Sequence, residues 1–355
     1  MTAIRRLVVI HTAFLGDIVL ALPMVQVLKR SMPNTSIAFV AIPASCAVLQ
    51  NHPGIDRIIE YDKKGKARGV RGFFSCVNEL REFDAAIVPH RSLRSALLPF
   101  LAGIKLRIGF STSAGSFLFT NKVKHESQKH EILRNLGLLK PLGIDPAYEP
   151  PLLYPSAKDR MVVEQLLGTA FPSHGSGKAM VAVAPGSVWN TKRWPEEYFG
   201  RLIGQLRGDG RKVVLLGGSE DSDLCERLRA GNREVFNAAG KLTVLQSADL
   251  IRRSDVLVSN DSAPMHLGVS MGTPVLAIFG ATVPEFGFAP VGEQNRIHQT
   301  DGLACRPCSI HGGDRCPIGT FECMLRITPE QVFQTVVEML HHSKKGGVSH
   351  DQDNS

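Results

Sequence analysis

Ten apolar runs of strand length alternate with helical stretches along the chain, and this limits the fold more than any other feature. Runs near 7–10, 37–42, 57–61, 85–89 and 106–110 precede a stretch rich in Gly, Ser and Pro, and runs near 180–184, 212–216, 234–237, 255–259 and 274–279 follow it. Amphipathic segments such as 196–207, 221–230 and 244–253 lie between the later runs. Strands separated by helix-length connections pair in parallel and need helices on both faces. The pattern occurs twice, and 355 residues exceed what a single core usually serves. The expectation is α/β: residues 1–167 as one doubly wound domain, 168–179 as a linker, 180–328 as a second such domain, 329–342 as a C-terminal helix and 343–355 as a disordered tail. Sheets of this kind bind ligands at the carboxyl ends of their strands.

Composition narrows the class of partner. A formal charge of +8 favours acidic ligands such as phosphates, nucleic acid or an anionic membrane surface. Seven cysteines in a chain this long do not suggest the disulfide framework of a small secreted domain. The opening residues "MTAIRRLVVIHTAFLGDIVLALPMV" superficially resemble a signal peptide, but His11, Gly16 and Asp17 interrupt the apolar run. Strand, loop and a helix from about Asp17 to Arg30 fit better, with a cytoplasmic location expected.

The loops after the strands carry the candidate chemistry. In "HTAFLGDIVLALP" Asp17 opens a helix, where it either interacts with the positive helix end or serves as a general base. "PGSVWNTKRWP" offers Ser187, Thr191 and Lys192 as hydroxyl donors and a point charge for a phosphate, a solvated loop being the plain alternative. "LLGGSEDSD" places Glu220 and Asp221 where a carboxylate accepts from a ribose or a sugar diol, or simply faces a helix N-terminus. In "SNDSAPMHLGVSMGTPVLAIFG" a strand ends at Asn260, and Asp261, Ser262 and Ala263 open a helix whose N–H groups suit a diphosphate. His266 lies just inside that helix, as a structural or a ligand-facing residue. No GxGxxG follows the first strand and no GxxxxGK[ST] occurs, which disfavours nicotinamide dehydrogenases and P-loop enzymes.

Two further segments stand out. "PHRSLRSALLPF" offers His90, Arg91 and Arg94 to an acidic acceptor, unless they are ordinary solvated cations. "CRPCSIHGGDRCPIGTFEC" spaces Cys305, Cys308, Cys316 and Cys323 compactly enough for a structural zinc, with buried or redox-sensitive thiols as the other reading.

Together "FLGDIVLALP", "PGSVWNTKRWP", "LLGGSEDSD" and "SNDSAPMHLGVSMGTPVLAIFG", in this order and spacing, resemble the lipopolysaccharide heptosyltransferases of glycosyltransferase family 9, the heptosyltransferase II type most closely. The resemblance covers about residues 4 to 340. It implies a GT-B fold, two Rossmann-like domains facing a cleft. The implied reaction inverts the anomeric centre while moving heptose from ADP-L-glycero-β-D-manno-heptose to a heptosyl-Kdo-lipid A acceptor of the lipopolysaccharide inner core, with no required cofactor and no catalytic metal. It implies Asp17 as the base and Lys192 on the donor diphosphate beside Ser187 and Thr191. Glu220 or Asp221 would meet the ribose, the backbone near Leu242 the adenine edge, and Asp261, Ser262, Ala263 and His266 the diphosphate and heptose. Pro264 lacks an N–H, so Ser262, Ala263 and Met265 are the expected backbone donors. The lipid-linked acidic acceptor implies peripheral contact with the inner membrane and no nucleic-acid partner. The alternatives are a GT-B transferase using another nucleotide sugar in surface-polysaccharide assembly, or a non-enzymatic nucleotide-binding or zinc-stabilised interaction module.

Overall fold

The computed structural model describes residues 4–63, 65, 69–172, 178–230 and 234–345. The chain divides into two compact units, Met1–Lys158 with Glu285–Phe288, and Asp159–Pro284 with Ala289–Ser355. The division at Lys158 falls inside the helix Ala157–Ala170, ahead of the 168–179 stretch read as a linker, of which 173–177 lie outside the described residues. The expected tail overlaps the last helix, Pro329–Lys345, and residues 346–355 lie outside the described residues.

The first unit holds β1 (Arg6–Ile10), β2 (Ser36–Ala41), β3 (Arg57–Glu60), β4 (Ala85–Val88), β5 (Leu106–Phe110) and β6 (Asn121–Val123) in the order β3-β2-β1-β4-β5-β6. Each neighbouring pair is parallel. Val8, Ile10, Ala38, Val40, Ala86 and Val88 pack into one core beneath the sheet. Leu7, Val9, Ile37, Phe39, Ala85 and Ile87, of the opposite parity, are equally buried. Because side chains alternate across a strand, burial at both parities means that helices cover both faces.

The second unit holds β7 (Met180–Ala184), β8 (Lys212–Leu215), β9 (Val235–Asn237), β10 (Val256–Asn260), β11 (Val275–Phe279) and β12 (Arg296–Gln299), ordered β12-β11-β10-β7-β8-β9 and again parallel throughout. Counted from its own first strand, this sheet reads 3-2-1-4-5-6, as the first does. In that topology the connections leave the two central strands in opposite directions and open a crevice at their carboxyl ends. The crevices lie between β1 and β4 in one unit and between β7 and β10 in the other.

The ten expected strands all form, each within one residue of its expected limits. The two unexpected strands, β6 and β12, are each one of the two edges of their sheet, and "NKV" and "RIHQ" have no apolar run because much of each remains accessible. An edge strand is held by one ladder and needs no buried second face.

Candidate functional site

In the second unit, both loops flanking the crevice converge on one ion pair. Lys192 Nζ, on the loop after β7, lies 2.6 Å from Asp261 Oδ2, on the loop after β10, and the two side chains are only 15% and 8% exposed. Thr282 Oγ1, past the end of β11, donates to the same carboxylate oxygen at 2.6 Å. Asn260 fastens the two loops: its Nδ2 donates to the Pro185 carbonyl at 2.8 Å and its Oδ1 accepts from Trp194 N–H at 3.0 Å. Trp194 is buried edge-on against Phe199, with its indole N–H donating to the Ile327 carbonyl at 2.9 Å. A buried indole with a satisfied N–H gives the turn a rigid foot, so Lys192 projects from a backbone fixed on both sides.

The other expected residues divide by what already occupies them. Thr191 is buried, its N–H donates to the Gly313 carbonyl at 3.0 Å, and its hydroxyl accepts from Gly313 N–H at 2.8 Å. Thr191 thereby ties the turn after β7 to the cysteine-bearing loop. Arg193, the second cation of the turn, donates from Nε to the Ser187 carbonyl at 2.7 Å and closes the turn on itself. Ser262 is the N-cap of the helix Ala263–Ser270, and its hydroxyl lies 3.4 Å from the Gly186 carbonyl. Met265 N–H is turned onto the Ser262 carbonyl at 3.1 Å, which removes it from the expected donors and leaves that role to Ser262 and Ala263. His266 is buried within the same helix.

Asp221 is wedged rather than displayed. It accepts from Gly218 N–H at 3.1 Å, and a Cβ built on Gly186 would sit 2.1 Å from its Oδ1. Glycines at 186 and 217 are needed because this carboxylate fills the space a side chain would take. Burial raises the Asp221 carboxyl above its usual range despite the Gly218 hydrogen bond. Its neighbour Glu220 is exposed, and Leu242 is half-buried just before the capping box formed by Thr243 and Gln246.

In the first unit, Asp17 is half-buried in the first turn of the helix Leu15–Ser31. The N-cap of that helix is Phe14, so Asp17 is not the capping residue, though its carboxylate stands where the helix dipole favours a negative charge. His90, singled out in the sequence, lines the same crevice with three polar residues that sequence reasoning passed over. Its Nδ1 lies 2.9 Å from Ser95 Oγ and 3.1 Å from Thr12 Oγ1, and Lys63 Nζ donates to the Thr12 carbonyl at 2.7 Å. The His11 and His90 rings are 5.9 Å apart. Burial, reinforced by His90 and Lys63, holds His11 down to about 3, and burial reinforced by Lys63 and Arg91 holds His90 to about 4, so both imidazoles are neutral at ordinary pH. Arg94 is committed elsewhere, donating to Tyr61 Oη at 2.5 Å with its guanidinium over the Tyr61 and Phe73 rings, whereas Arg91 is exposed.

Past β12, burial raises the Cys308 and Cys323 thiols, with neighbouring cysteines adding to the rise, yet among the described residues no three His, Cys, Asp or Glu side chains are grouped to hold a metal ion. Cys323 points into the core of the second unit and burial pushes it up to about 11. Cys316 turns toward backbone N–H groups, first Phe321 and then Ile318, Gly319 and Thr320, which lower its pKa. The zinc reading finds no support in this placement.

Residues 75–312 match the model of glycosyltransferase family 9 (heptosyltransferase). Lipopolysaccharide heptosyltransferase 2 of Salmonella typhimurium is 27% identical, with the alignment covering 94% of this chain and 98% of that one. A solved family 9 glycosyl transferase from Veillonella parvula superposes with a TM-score of 0.85 at 23% identity, covering 96% and 99% of the two chains. The E. coli ADP-heptose lipopolysaccharide heptosyltransferase II structure gives 0.77 at 22% identity, again covering 96% and 99%. These likenesses establish the two-sheet GT-B fold for the present chain.

Proposed function

Because the chain belongs to glycosyltransferase family 9, the heptosyltransferases, we propose that it moves heptose from ADP-L-glycero-β-D-manno-heptose to heptosyl-Kdo-lipid A of the lipopolysaccharide inner core. The observation that carries this reading is the Lys192–Asp261 pair at the crevice of the second sheet, beside the start of the helix Ala263–Ser270. Helix N-termini at such crevices favour anions.

In the reaction, the bond from the anomeric carbon to the diphosphate breaks while the acceptor oxygen attacks from the opposite face. Negative charge gathers on departing ADP. Lys192 and the Ser262 and Ala263 N–H groups stabilise that charge more than they stabilise bound donor, which lowers the barrier. Asp261, oriented by Thr282, holds Lys192 in place before donor arrives and accepts from sugar hydroxyls once Lys192 turns to phosphate. Asp17 takes the acceptor proton. Ser187 and Thr191 shape the diphosphate turn, Glu220 meets the ribose with Asp221 fixing the loop that presents it, the backbone near Leu242 meets adenine, and His266 stands by the heptose. No cofactor enters this scheme.

The neutral His90, with Thr12 and Ser95, suits hydroxyl recognition on the acceptor side, and Arg91 suits its phosphates or carboxylates. No helix among the described residues is long and apolar enough to cross a membrane. On the proposed reading the chain meets its lipid-linked acceptor from the cytoplasmic side, in peripheral contact with the inner membrane.

The experiment is transfer itself. Purified protein is given ADP-heptose and heptosyl-Kdo-lipid A, and the product is followed by mass and by ADP release. One added heptose per acceptor, lost in D17N, is expected. Transfer from a different nucleotide sugar with none from ADP-heptose overturns the reading.

A further inference from the structure

Residues 85–125 contain six Lys or Arg and no Asp or Glu. They build β4, the helix Leu93–Leu101, β5, a short turn of helix at Ser116–Leu118, and β6, the half of the first sheet that ends at an open edge. Elsewhere in the described residues basic side chains are commonly matched by acids, as in Arg6–Glu82, Arg57–Glu79 and Lys29–Asp56. None of the ion pairs among the described residues involves Arg91, Arg94, Lys105, Arg107, Lys122 or Lys124.

Large apolar side chains stand exposed within this basic zone. Phe117 is 71% exposed, and Leu93, Phe100 and Leu101 are each more than 40% exposed. They belong to one face. Arg107 lies over the Phe100 ring with its guanidinium carbon 5.5 Å from the centroid, and its Nε donates to the carbonyl of Leu118, the residue after Phe117. At the other end, a Cβ on Gly115 would meet Ala96 and Leu93, so the Ser116–Leu118 turn packs along the helix. The helix itself starts at the crevice, where Ser95 contacts Thr12 and His90, and ends at Phe100 and Leu101. Nine residues of helix span about 13 Å.

We propose that this face of the first unit docks on an anionic lipid bilayer, with Phe100, Leu101 and Phe117 entering the headgroup boundary and Lys105, Lys122 and Lys124 meeting lipid phosphates. This rests on the lipid-linked acceptor of the proposed function and names the surface that would meet its membrane. An acidic saccharide or a nucleic acid explains the cations but gives no reason to leave two phenylalanines and two leucines in water. Aromatic and leucine side chains ringed by lysine are what an interfacial lipid contact uses. The same helix would hold the Asp17 crevice about one helix length from the headgroups.

The test is flotation of the full chain with phosphatidylcholine vesicles, with and without phosphatidylglycerol, compared among wild type, F100S/F117S and K105S/K122S. Expected is binding to the anionic vesicles alone, weakened by salt. Losing two lysines should weaken partitioning roughly thirtyfold, and losing both phenylalanines should weaken it even in low salt. Thermal shift by ADP, unchanged in both variants, shows that they are folded. Equal vesicle binding by wild type and variants, or no vesicle binding by a wild type that responds to ADP, overturns the docking surface. Equal retention of the protein by soluble polyanions such as heparin, without vesicle binding, overturns it as well. A wild type that binds anionic vesicles but shows no ADP response points to failure of the proposed function instead.

Discussion

Lys192 and Asp261 come from loops after different strands, yet their charged atoms meet at 2.6 Å in a largely enclosed position. The pair spans the crevice of the second sheet, and its position determines what each partner can do. Replacing Lys192 with Ala removes the cation that meets the leaving group, and a turnover loss of about 10²–10³ is expected from the loss of one such electrostatic contact. It also leaves Asp261 without its cation, so the melting temperature should fall too. Steady-state rates and thermal denaturation of the same sample check both, and turnover within a few-fold of wild type contradicts the role.

Thr282 donates its hydroxyl to Asp261 and is itself buried. Thr282→Val keeps the volume and deletes a hydrogen bond to a charged acceptor, a change of about 1.5–3 kcal/mol. Urea denaturation should show that loss, together with weaker donor binding from a misoriented Asp261. An unchanged denaturation midpoint contradicts the contact.

A crowding argument fixes the loop at Asp221. Gly186→Ala places a Cβ 2.1 Å from Asp221 Oδ1, so the wedged carboxylate must shift and give up its place beside Gly218. We expect about 1–3 kcal/mol of destabilisation, and Asp221→Gly in the same chain should recover part of it. A double-mutant cycle reads the coupling directly. Purely additive effects contradict the wedge.

The placement of Asp17, Lys192 and the Asp261–Ser262 helix start at strand ends was legible in the sequence, because each follows a strand whose apolar run is unmistakable. What escaped was whatever depends on distant chain. Thr282 lies in a loop that sequence gives no reason to bring to Asp261. Gly313, which receives Thr191, belongs to an irregular cysteine-bearing loop with no period to read. Strands β6 and β12 have polar sequences because they are edges. Residues Glu285–Phe288 belong to the first unit despite their position in the second half of the chain. They do so because buried Arg134 of the helix Glu131–Gly137 donates to the Phe286 carbonyl at 2.7 Å and Glu131 N–H to the Gly287 carbonyl at 2.8 Å. Thr191 and Asp221 stood out as ligand groups by type, and the structure also gives each of them a part in holding the loops in shape.

The depressed histidines give a pH dependence with a definite sign. Burial lowers His11 to about 3 and both His52 and His90 to about 4, against an ordinary 6.5. The unfolded chain therefore binds more protons between those values, and stability rises with pH across that window. It should be fully present above about 6.5 and lost progressively as pH falls toward 4. Urea midpoints at pH 7.5 and 5 should differ, and His90→Gln should flatten the difference. Equal midpoints for the wild type contradict neutral buried imidazoles.

A base at Asp17 makes a sharper demand on kinetics. Asp17→Asn keeps the shape and removes proton acceptance, so turnover should fall about 10²–10⁴-fold while ADP affinity stays at the wild-type value. A parallel loss of ADP binding contradicts the assignment of Asp17 to the acceptor side.

The claim on which the rest depends is that the crevice between β7 and β10 binds an adenine nucleotide diphosphate through Lys192. Titration calorimetry of wild type and Lys192→Ala with ADP, UDP and GDP measures it most directly. The account predicts that ADP binds wild type best and that the substitution weakens this by at least about tenfold, one lost charge-assisted contact. Heat from UDP or GDP with none from ADP, or equal ADP affinity in the two proteins, would contradict it.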